Sequence, residues 1–218
     1  MMKPHKQFIR STSSGRLIEV SMFEQVQYQD SYQAMASFAN QRSENDLDKI
    51  WLLQHPQVYT QGTACKLDAF LPSHIETIKT DRGGQITYHG PGQIVMYPML
   101  ALKQYGIGVK SLVFKLEQCI IDTLLTLEIE ALRRDDAPGV YVKGSKIGAL
   151  GLRIRKGTSY HGLSLNLNMD LSPFKNIDPC GYQGLQVTNI VDHLSEKAAT
   201  VDINDVAKIV LNKFVESL

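Results

Sequence analysis

One cysteine of this sequence lies where a reactive thiol could be presented to a cleft. Cys180 lies between Pro179 and Gly181, and this local sequence predicts a tight turn with few bulky neighbours around the sulfur. A thiolate in such a place can act as a nucleophile. Cys119 is different, because it lies beside Ile120 in an apolar helical segment and is expected to be a buried small hydrophobe. That commoner role of cysteine is also the alternative interpretation for Cys180.

A glycine-rich block, RGGQITYHGPGQ, covers residues 82–93. Two glycine pairs flank a short predicted strand, and the block also carries Arg82 and His89. Such a loop can expose backbone N–H groups to an oxyanion or a carbonyl. The alternative is a glycine-rich hairpin with a hydrogen-bonded histidine, and composition alone favours neither. A Walker A phosphate loop is excluded, because no Gly-Lys-Ser or Gly-Lys-Thr follows.

Lys146 opens a predicted strand directly after a turn at residues 143–145. A lysine in that position is usually an exposed turn residue, and the residues alone favour this interpretation. Fourteen of the 16 glycines lie between Gly83 and Gly184, and this concentration favours a backbone trough over a plain sheet edge.

The elements that must position these residues are helices mixed with hairpin-connected strands. Apolar residues at three- and four-residue steps predict a helix from Val109 onward, on the stripe Leu112, Val113, Leu116, Ile120, Leu124 and Leu127. A second helix is expected to begin near Asp30 as N-cap and to bury Met35 and Phe38. A third is expected near Asn204, with Val206, Ile209, Val210 and Phe214 facing inward.

Strands are predicted at residues 50–53, 86–88 and 94–97, followed by a meander with strands at 139–142, 146–155 and 160–168. In the last strand Leu163, Leu165 and Leu167 alternate with Ser164, Asn166 and Asn168, which predicts one buried and one polar face. This order of elements predicts an α/β (α+β) fold with a mixed, largely antiparallel central sheet flanked by helices. The absence of repeats and linkers favours one domain over residues 1–218.

Composition excludes several classes of function. Lys and Arg number 23 against 22 Asp and Glu, and the net charge of +1 argues against nucleic-acid binding by bulk electrostatics. The short basic runs 133–134 and 153–156 are expected to be solvated faces. No segment is apolar enough for a signal peptide or a membrane span. Three widely spaced cysteines fit reduced thiols in the cytoplasm, and no local His or Cys spacing predicts a metal site.

Together, three blocks closely resemble the lipoyl(octanoyl) transferases of lipoate biosynthesis. The blocks are RGGQITYHGPGQ, KIGALGLRIRKGTSYHGLSLNLNMDLSPF and PCG, and they occur in the family's order. The resemblance is strongest over residues 51–189. It implies a fold similar to the catalytic domains of biotin and lipoate–protein ligases.

By this resemblance Cys180 is the acyl-accepting nucleophile, and Lys146 lowers its pKa and moves protons. The resemblance also implies a substrate-binding set in three segments: Arg82, Gly83, Gly84, Gln85, Ile86, Thr87, Tyr88 and His89; Ala149, Leu150 and Gly151; and Gly162, Leu163 and Ser164.

The implied donor is octanoyl-acyl carrier protein. The implied acceptors are the lipoyl domains of 2-oxoacid dehydrogenases and the glycine cleavage H protein. The donor is already a thioester, so neither ATP nor another cofactor is expected.

Three alternatives remain open at the level of sequence. An ATP-dependent lipoate or biotin ligase would share the fold but would not need a cysteine nucleophile. An acyl thioesterase would differ only in using water to intercept the acyl-enzyme. A non-catalytic module that binds the acyl carrier or lipoyl domains would keep the glycine trough but would have no use for Lys146 beside Cys180.

Overall fold

The computed structural model describes residues 2–65, 74–177, 185–194 and 201–218. Within these ranges eleven strands form two sheets. The strands are β1 Lys6–Ser11, β2 Leu17–Gln25, β3 Asp48–Gln54, β4 Val58–Gln61, β5 Glu76–Lys79, β6 Ile86–His89, β7 Gln93–Met99, β8 Leu132–Arg133, β9 Val140–Val142, β10 Ser145–Arg155 and β11 Thr158–Asn166. The helices are α1 Tyr28–Gln41, α2 Val109–Thr126 and α3 Ile203–Glu216, with short 3-10 helices at Leu102–Tyr105, Ser172–Asn176 and Ile190–His193.

The larger sheet has the strand order β1-β2-β3-β7-β11-β10-β9-β8. Neighbouring strands are antiparallel except for β2 and β3, which are parallel. A smaller sheet has the order β5-β4-β6 and contains the strand of the glycine-rich block. These observations confirm the predicted mixed, largely antiparallel sheet.

The meander is built on two-residue hairpin turns. Lys143 and Gly144 have φ values of 48° and 84°, and Lys156 and Gly157 have 48° and 77°. Two consecutive positive φ values are typical of type I′ turns, whose twist matches that of the flanking strands. Because each turn uses only two residues, β10 begins at Ser145 and β11 at Thr158, one and two residues earlier than predicted.

The core lies on both faces of the larger sheet. In β7, Ile94 and Met96 pack into the cluster that includes α2 and α3, whereas Val95, Tyr97 and Met99 pack with α1 on the opposite face. All seven residues of β7 are therefore buried. A strand covered on both faces needs a continuous apolar run instead of an alternating pattern.

Strand β11 has the predicted alternation of apolar and polar residues, but both of its faces are covered. All nine of its residues are buried, including Ser164 and Asn166 on the polar face. Polar side chains are tolerated there because that face borders a cleft instead of bulk solvent.

The N-terminal ends of helices α1 and α3 differ slightly from the sequence prediction. Helix α1 begins at Tyr28, so Asp30 lies in the first turn and is not the N-cap. A carboxylate in the first turn still interacts favourably with the helix dipole. Helix α3 begins at Ile203, and the side chain of Asp202 caps it by accepting hydrogen bonds from the backbone N–H groups of Asn204 and Asp205.

Helices α2 and α3 pack against each other over the sheet. The predicted stripe of α2 is confirmed at Leu112, Leu116, Ile120 and Leu124, which are fully buried. In the portion of the chain described, no helix is both long and apolar enough to cross a bilayer.

Candidate active site

The three segments implied by the resemblance meet at one cleft. The cleft encloses about 750 Å³ of space not occupied by atoms, and part of that space is open solvent. Its lining includes Lys146 and most of the expected binding residues: Arg82, Gly84, Gln85, Ile86, Thr87, His89, Ala149, Leu150, Gly151, Gly162, Leu163 and Ser164. We call residues 82–93 the β6 wall and residues 146–151 the β10 wall.

Two expected binding residues lie behind the cleft surface. The backbone N–H of Gly83 donates to the carbonyl of Leu152 at 2.9 Å and so ties the β6 wall to β10. The Tyr88 ring is 1% exposed and packs against Tyr59 and Phe174. Both residues support the wall instead of lining it.

Lys146 is buried, contrary to the exposed turn position that the residues alone favour. It is 4% exposed, its Nζ donates to the Pro138 carbonyl at 2.9 Å, and Nζ lies 5.2 Å from the Tyr141 ring centroid. The backbone of Lys146 also makes long-range contacts. The backbone N–H of Lys146 donates to the Gln186 carbonyl at 2.8 Å, and the N–H of Thr188 donates to the Lys146 carbonyl at 3.0 Å. The segment around Val187 thus pairs in parallel with the start of β10.

Glycine is required where β11 crosses the cleft. A Cβ at Gly162 would lie 2.1 Å from the Met96 carbonyl oxygen, so a larger residue would push β11 away from β7. The preceding residue, His161, has a φ of 56°, which is uncommon outside glycine. Its ring is held by hydrogen bonds to Tyr28 and Asp81. The positive φ is therefore maintained by contacts on both sides of the imidazole.

His89 is held by a chain of side-chain amides. Its Nδ1 lies 2.7 Å from Gln93 Oε1, Gln93 Nε2 donates to Asn166 Oδ1 at 2.9 Å, and Asn166 Nδ2 donates to the Thr188 carbonyl at 3.1 Å. A carbonyl can only accept, so this last bond fixes the orientation of both amides. The Nδ1 of His89 must then carry the proton, and Nε2 is the acceptor of the neutral ring.

The imidazoles at the cleft are kept neutral. Burial lowers the pKa of His89 to about 3 and that of His55 to about 4. His55 donates from Nδ1 to the Val26 carbonyl at 2.7 Å, and its Nε2 accepts from the Tyr97 hydroxyl, also at 2.7 Å. A histidine with so low a pKa is a poor proton acceptor at neutral pH but a good fixed hydrogen-bonding group.

Asp81 is the nearby group that remains charged. Burial opposes its ionisation, but hydrogen bonds from His161 and Tyr160 outweigh burial and lower the pKa of Asp81 to about 2. Burial also lowers the pKa of His161, although Asp81 opposes that effect. The pair is therefore a neutral imidazole donating to a carboxylate.

Arg82 has a structural role within the β6 wall. Its side chain is buried, and its guanidinium donates to the hydroxyl and carbonyl of Thr60 and to the carbonyls of Gly83 and Gln85. These bonds close the glycine loop around one cation. Arg82 therefore shapes the wall in addition to bordering the cleft.

The proposed nucleophile, Cys180, lies outside the described residues. On the two sides of residues 178–184, Phe174 and Val187 both border the cleft. Cys119 is buried as expected, its thiol donates to the Leu116 carbonyl at 3.1 Å, and burial raises its pKa. Cys65 is half-buried.

Sequence reasoning missed Tyr28, Tyr97, Gln93 and Asn166 as cleft residues, and it missed His55, which packs against His89. Tyr28 and His55 lie outside any motif, and only the three-dimensional fold brings them to the glycine block. Gln93 is the last residue of that block. Asn166 is on the polar side of β11, so the alternation of polar and apolar residues in β11 was the signal that could have found it. Among the residues that the structure describes, no group of three or more His, Cys, Asp or Glu could hold a metal ion.

Comparison with known proteins agrees with this geometry. The family model described as the lipoyl protein ligase A/B catalytic domain matches residues 27–215. An octanoyltransferase of Cellvibrio japonicus (strain Ueda107) is 49% identical over 190 residues, covering 87% of this chain and 88% of that protein. The chain belongs to the octanoyltransferase family. Another member, from Actinobacillus pleuropneumoniae serotype 5b (strain L20), is 50% identical over 182 residues and covers 81% of this chain and 84% of its own length.

Membership in the octanoyltransferase family makes the chain an acyltransferase and confirms the resemblance drawn from the three blocks. Solved structures confirm the fold. Lipoate-protein ligase A bound with ATP superposes with a TM-score of 0.70 at 16% identity, covering 91% of this chain and 84% of that one. A biotin protein ligase from Aquifex aeolicus in complex with biotin and ATP gives 0.56 at 13% identity, over 91% and 69%. At such low sequence identities these two structures are evidence for the fold alone.

Proposed function

We propose that the chain transfers an octanoyl group from octanoyl-acyl carrier protein to a lysine of a lipoyl domain through a thioester on Cys180. The observation that carries this proposal is the buried ammonium of Lys146 on the wall of the shared cleft. Gln186, which is hydrogen-bonded to the Lys146 backbone, is six residues after Cys180, so chain length permits the sulfur to reach the ammonium.

In the first half-reaction the Cys180 thiolate attacks the carbonyl carbon of the donor thioester. The tetrahedral oxyanion collapses, the carrier sulfur leaves, and the Lys146 ammonium gives it a proton. The products are the carrier thiol, the octanoyl-Cys180 thioester and a neutral Lys146 amine. Because one thioester replaces another, this step is close to balanced in free energy and needs no nucleotide.

In the second half-reaction the lysine amine of the lipoyl domain attacks the octanoyl-Cys180 carbonyl. The neutral Lys146 amine takes the proton that this nitrogen must lose, and Cys180 leaves as thiolate beside the regenerated ammonium. Amide formation makes this half-reaction downhill. The free thiol has a pKa of about 8.5, so the adjacent ammonium is needed to hold a useful fraction as thiolate at neutral pH.

The two walls supply binding and orientation. The apolar part of the cleft accommodates the octanoyl chain, and backbone N–H groups of the glycine segments stabilise the oxyanion. His89, with a protonated Nδ1 and an accepting Nε2, orients the incoming amine but does not take its proton, because burial holds the His89 pKa at about 3. Proton transfer is therefore assigned to Lys146.

The acceptors proposed are the lipoyl domains of 2-oxoacid dehydrogenases and the glycine cleavage H protein, and the proposed compartment is the cytoplasm. The ligase alternative requires an acid activated with ATP. The thioesterase alternative requires water to intercept the acyl-enzyme. The binding-module alternative requires no covalent step, so an acyl-enzyme on Cys180 separates it from the transferase and the thioesterase.

Intact mass spectrometry after mixing with octanoyl-acyl carrier protein tests the proposal. We expect a hydroxylamine-sensitive octanoyl adduct, which Cys180→Ala abolishes and Cys119→Ala retains. An adduct that persists in Cys180→Ala would refute the assignment. Transfer from the adduct to an apo lipoyl domain should then proceed without ATP or Mg²⁺, and a strict requirement for both would favour the ligase alternative.

A further inference from the structure

The peptide unit between Pro138 and Gly139 is held at both ends. Its carbonyl accepts a hydrogen bond from Lys146 Nζ at 2.9 Å, and its N–H donates to Glu117 Oε1 at 3.0 Å. The Gly139 φ of 132° and the lack of a side chain allow this arrangement, since a Cβ would lie 2.7 Å from the Gly148 carbonyl oxygen and 3.1 Å from Lys146 Cε. One rigid plane thus joins the Glu117 carboxylate to the Lys146 ammonium.

Glu117 is an unusual residue for its position. It is 6% exposed and lies on α2 directly after the core residue Leu116. Burying a carboxylate is costly unless both oxygens are used. Here Oε1 accepts from Gly139, and Oε2 accepts from Arg133 Nε at 3.1 Å.

Arg133 is itself fixed. Its guanidinium carbon lies 4.1 Å from the Phe114 ring centroid, and its Nη2 donates to the Phe114 carbonyl at 3.1 Å and to Gln118 Oε1 at 2.8 Å. The Tyr141 hydroxyl holds the adjacent Ala137 carbonyl at 2.8 Å. The loop beside Lys146 is thus anchored from α2 and from β9.

We propose that Glu117 is a positioning residue for Lys146, acting through the Pro138–Gly139 peptide; this rests on the proton-transfer role proposed above for Lys146. The carboxylate orients the peptide and polarises it, which strengthens the hydrogen bond that its carbonyl accepts from the ammonium. Glu117 touches neither substrate nor the reacting atoms. It fixes the point from which Lys146 Nζ reaches Cys180 and to which it returns after each proton transfer.

The competing account is that Glu117 only ties α2 to the loop and stabilises the fold. Three variants separate the two accounts. Glu117→Leu removes the acceptor at similar volume. Glu117→Asp keeps the charge near Arg133 but withdraws the carboxylate from the Gly139 N–H. Glu117→Gln keeps an acceptor oxygen for that N–H without the charge.

We expect Glu117→Leu and Glu117→Asp to lower kcat for octanoyl transfer by roughly tenfold to a hundredfold, the scale of a misplaced catalytic group, with little change in KM. The pH midpoint of Cys180 alkylation should move upward in both, in the same direction as in Lys146→Ala. Glu117→Gln should recover most of the lost kcat. Asp81 and the neutral histidines lie on other elements and are unchanged in all three variants.

Asp48→Leu is the matched control, because Asp48 is also a buried acid that pairs with an arginine, Arg42, and accepts from a backbone N–H, that of Ala101 at 2.9 Å. It should lower the melting temperature without moving the alkylation midpoint. In a Lys146→Ala background, Glu117→Asp should cost almost nothing further, since residues that act through one group are not additive.

A Glu117→Asp enzyme with wild-type kcat and an unchanged alkylation midpoint would overturn the positioning role, and this variant preserves the ion pair if Glu117→Leu fails to fold. Full additivity with Lys146→Ala would also overturn it. If Lys146→Ala itself left transfer and alkylation unchanged, the failure would belong to the proposed function instead.

Discussion

The two walls of the cleft use buried cations in opposite ways. On the β6 wall, the Arg82 guanidinium is bonded to Thr60 and to carbonyls of its own loop. On the β10 wall, the Lys146 ammonium donates to the Pro138 carbonyl and borders the space where chemistry is proposed. Arginine does not give up its proton in proteins, whereas a buried lysine can. We therefore propose that the first wall shapes the cleft and that the second wall transfers protons.

Removing the ammonium of the β10 wall should have the largest effect. We expect Lys146→Ala to lower kcat for octanoyl transfer by about 10²- to 10⁴-fold, the usual contribution of a general acid–base group. Lys143→Ala, in the exposed turn that precedes the same strand, is the control and should keep wild-type rates. Equal rates for the two variants would remove the distinction between the walls.

On the β6 wall, His89→Ala should impair transfer much more than folding. The ring is fixed by Gln93 and presents an acceptor to the cleft, so its loss should slow transfer by about 10²-fold, the scale of a lost orienting contact. Rates and melting temperature should be measured beside His74→Ala, an exposed histidine. Unchanged turnover in His89→Ala would restore the interpretation of this segment as a plain hairpin.

Much of this site followed from local sequence, and the remainder did not for a physical reason. The turn dipeptides predict the hairpins, because φ preferences act locally, whereas the binding residues of the cleft walls were implied by the family resemblance. The backbone of Lys146 is hydrogen-bonded to Gln186 and Thr188, about forty positions later, and the neutral state of His89 depends on Tyr28 and His55 packed around its ring. Such long-range contacts leave no trace in a local pattern.

Arg82→Lys should affect stability more than chemistry. The lysine keeps the charge but cannot reproduce the planar set of donors, so carbonyls of the glycine loop lose partners. We expect the free energy of unfolding to fall by about 2 kcal/mol, the scale of one hydrogen bond to a charged group. Denaturant unfolding measures this, and Cys180 alkylation should keep its pH midpoint. A shifted midpoint would mean that Arg82 also activates the thiol.

The neutral histidines predict a pH dependence of stability. Burial lowers the pKa of His89 to about 3 and of His55 to about 4 in the folded state, against about 6.5 when unfolded. The unfolded chain therefore binds more protons below pH 6.5, and stability falls as pH decreases from 6.5 toward 4. Each group should contribute about 1.4 kcal/mol per pH unit in that window. The pKa of Asp81 is lowered to about 2 in the folded state. Asp81 therefore adds a loss of stability only at more acidic pH, below the pKa that it has in the unfolded chain.

Denaturant unfolding at several pH values measures this slope. His55→Phe should remove the contribution of one histidine to the slope. A free energy of unfolding that is flat between pH 6.5 and 4.5 would show that the imidazoles are not held neutral.

The pH dependence of iodoacetamide labelling, followed peptide by peptide, tests the central claim most directly. In the unmodified protein Cys180 should titrate below the free-thiol value of about 8.5. Cys119, whose pKa is raised by burial, should react slowly at every pH and serve as the internal control. In Lys146→Ala the Cys180 midpoint should move upward, because the stabilising charge is gone. An identical Cys180 profile in the two proteins would contradict the coupling of Lys146 to the nucleophile.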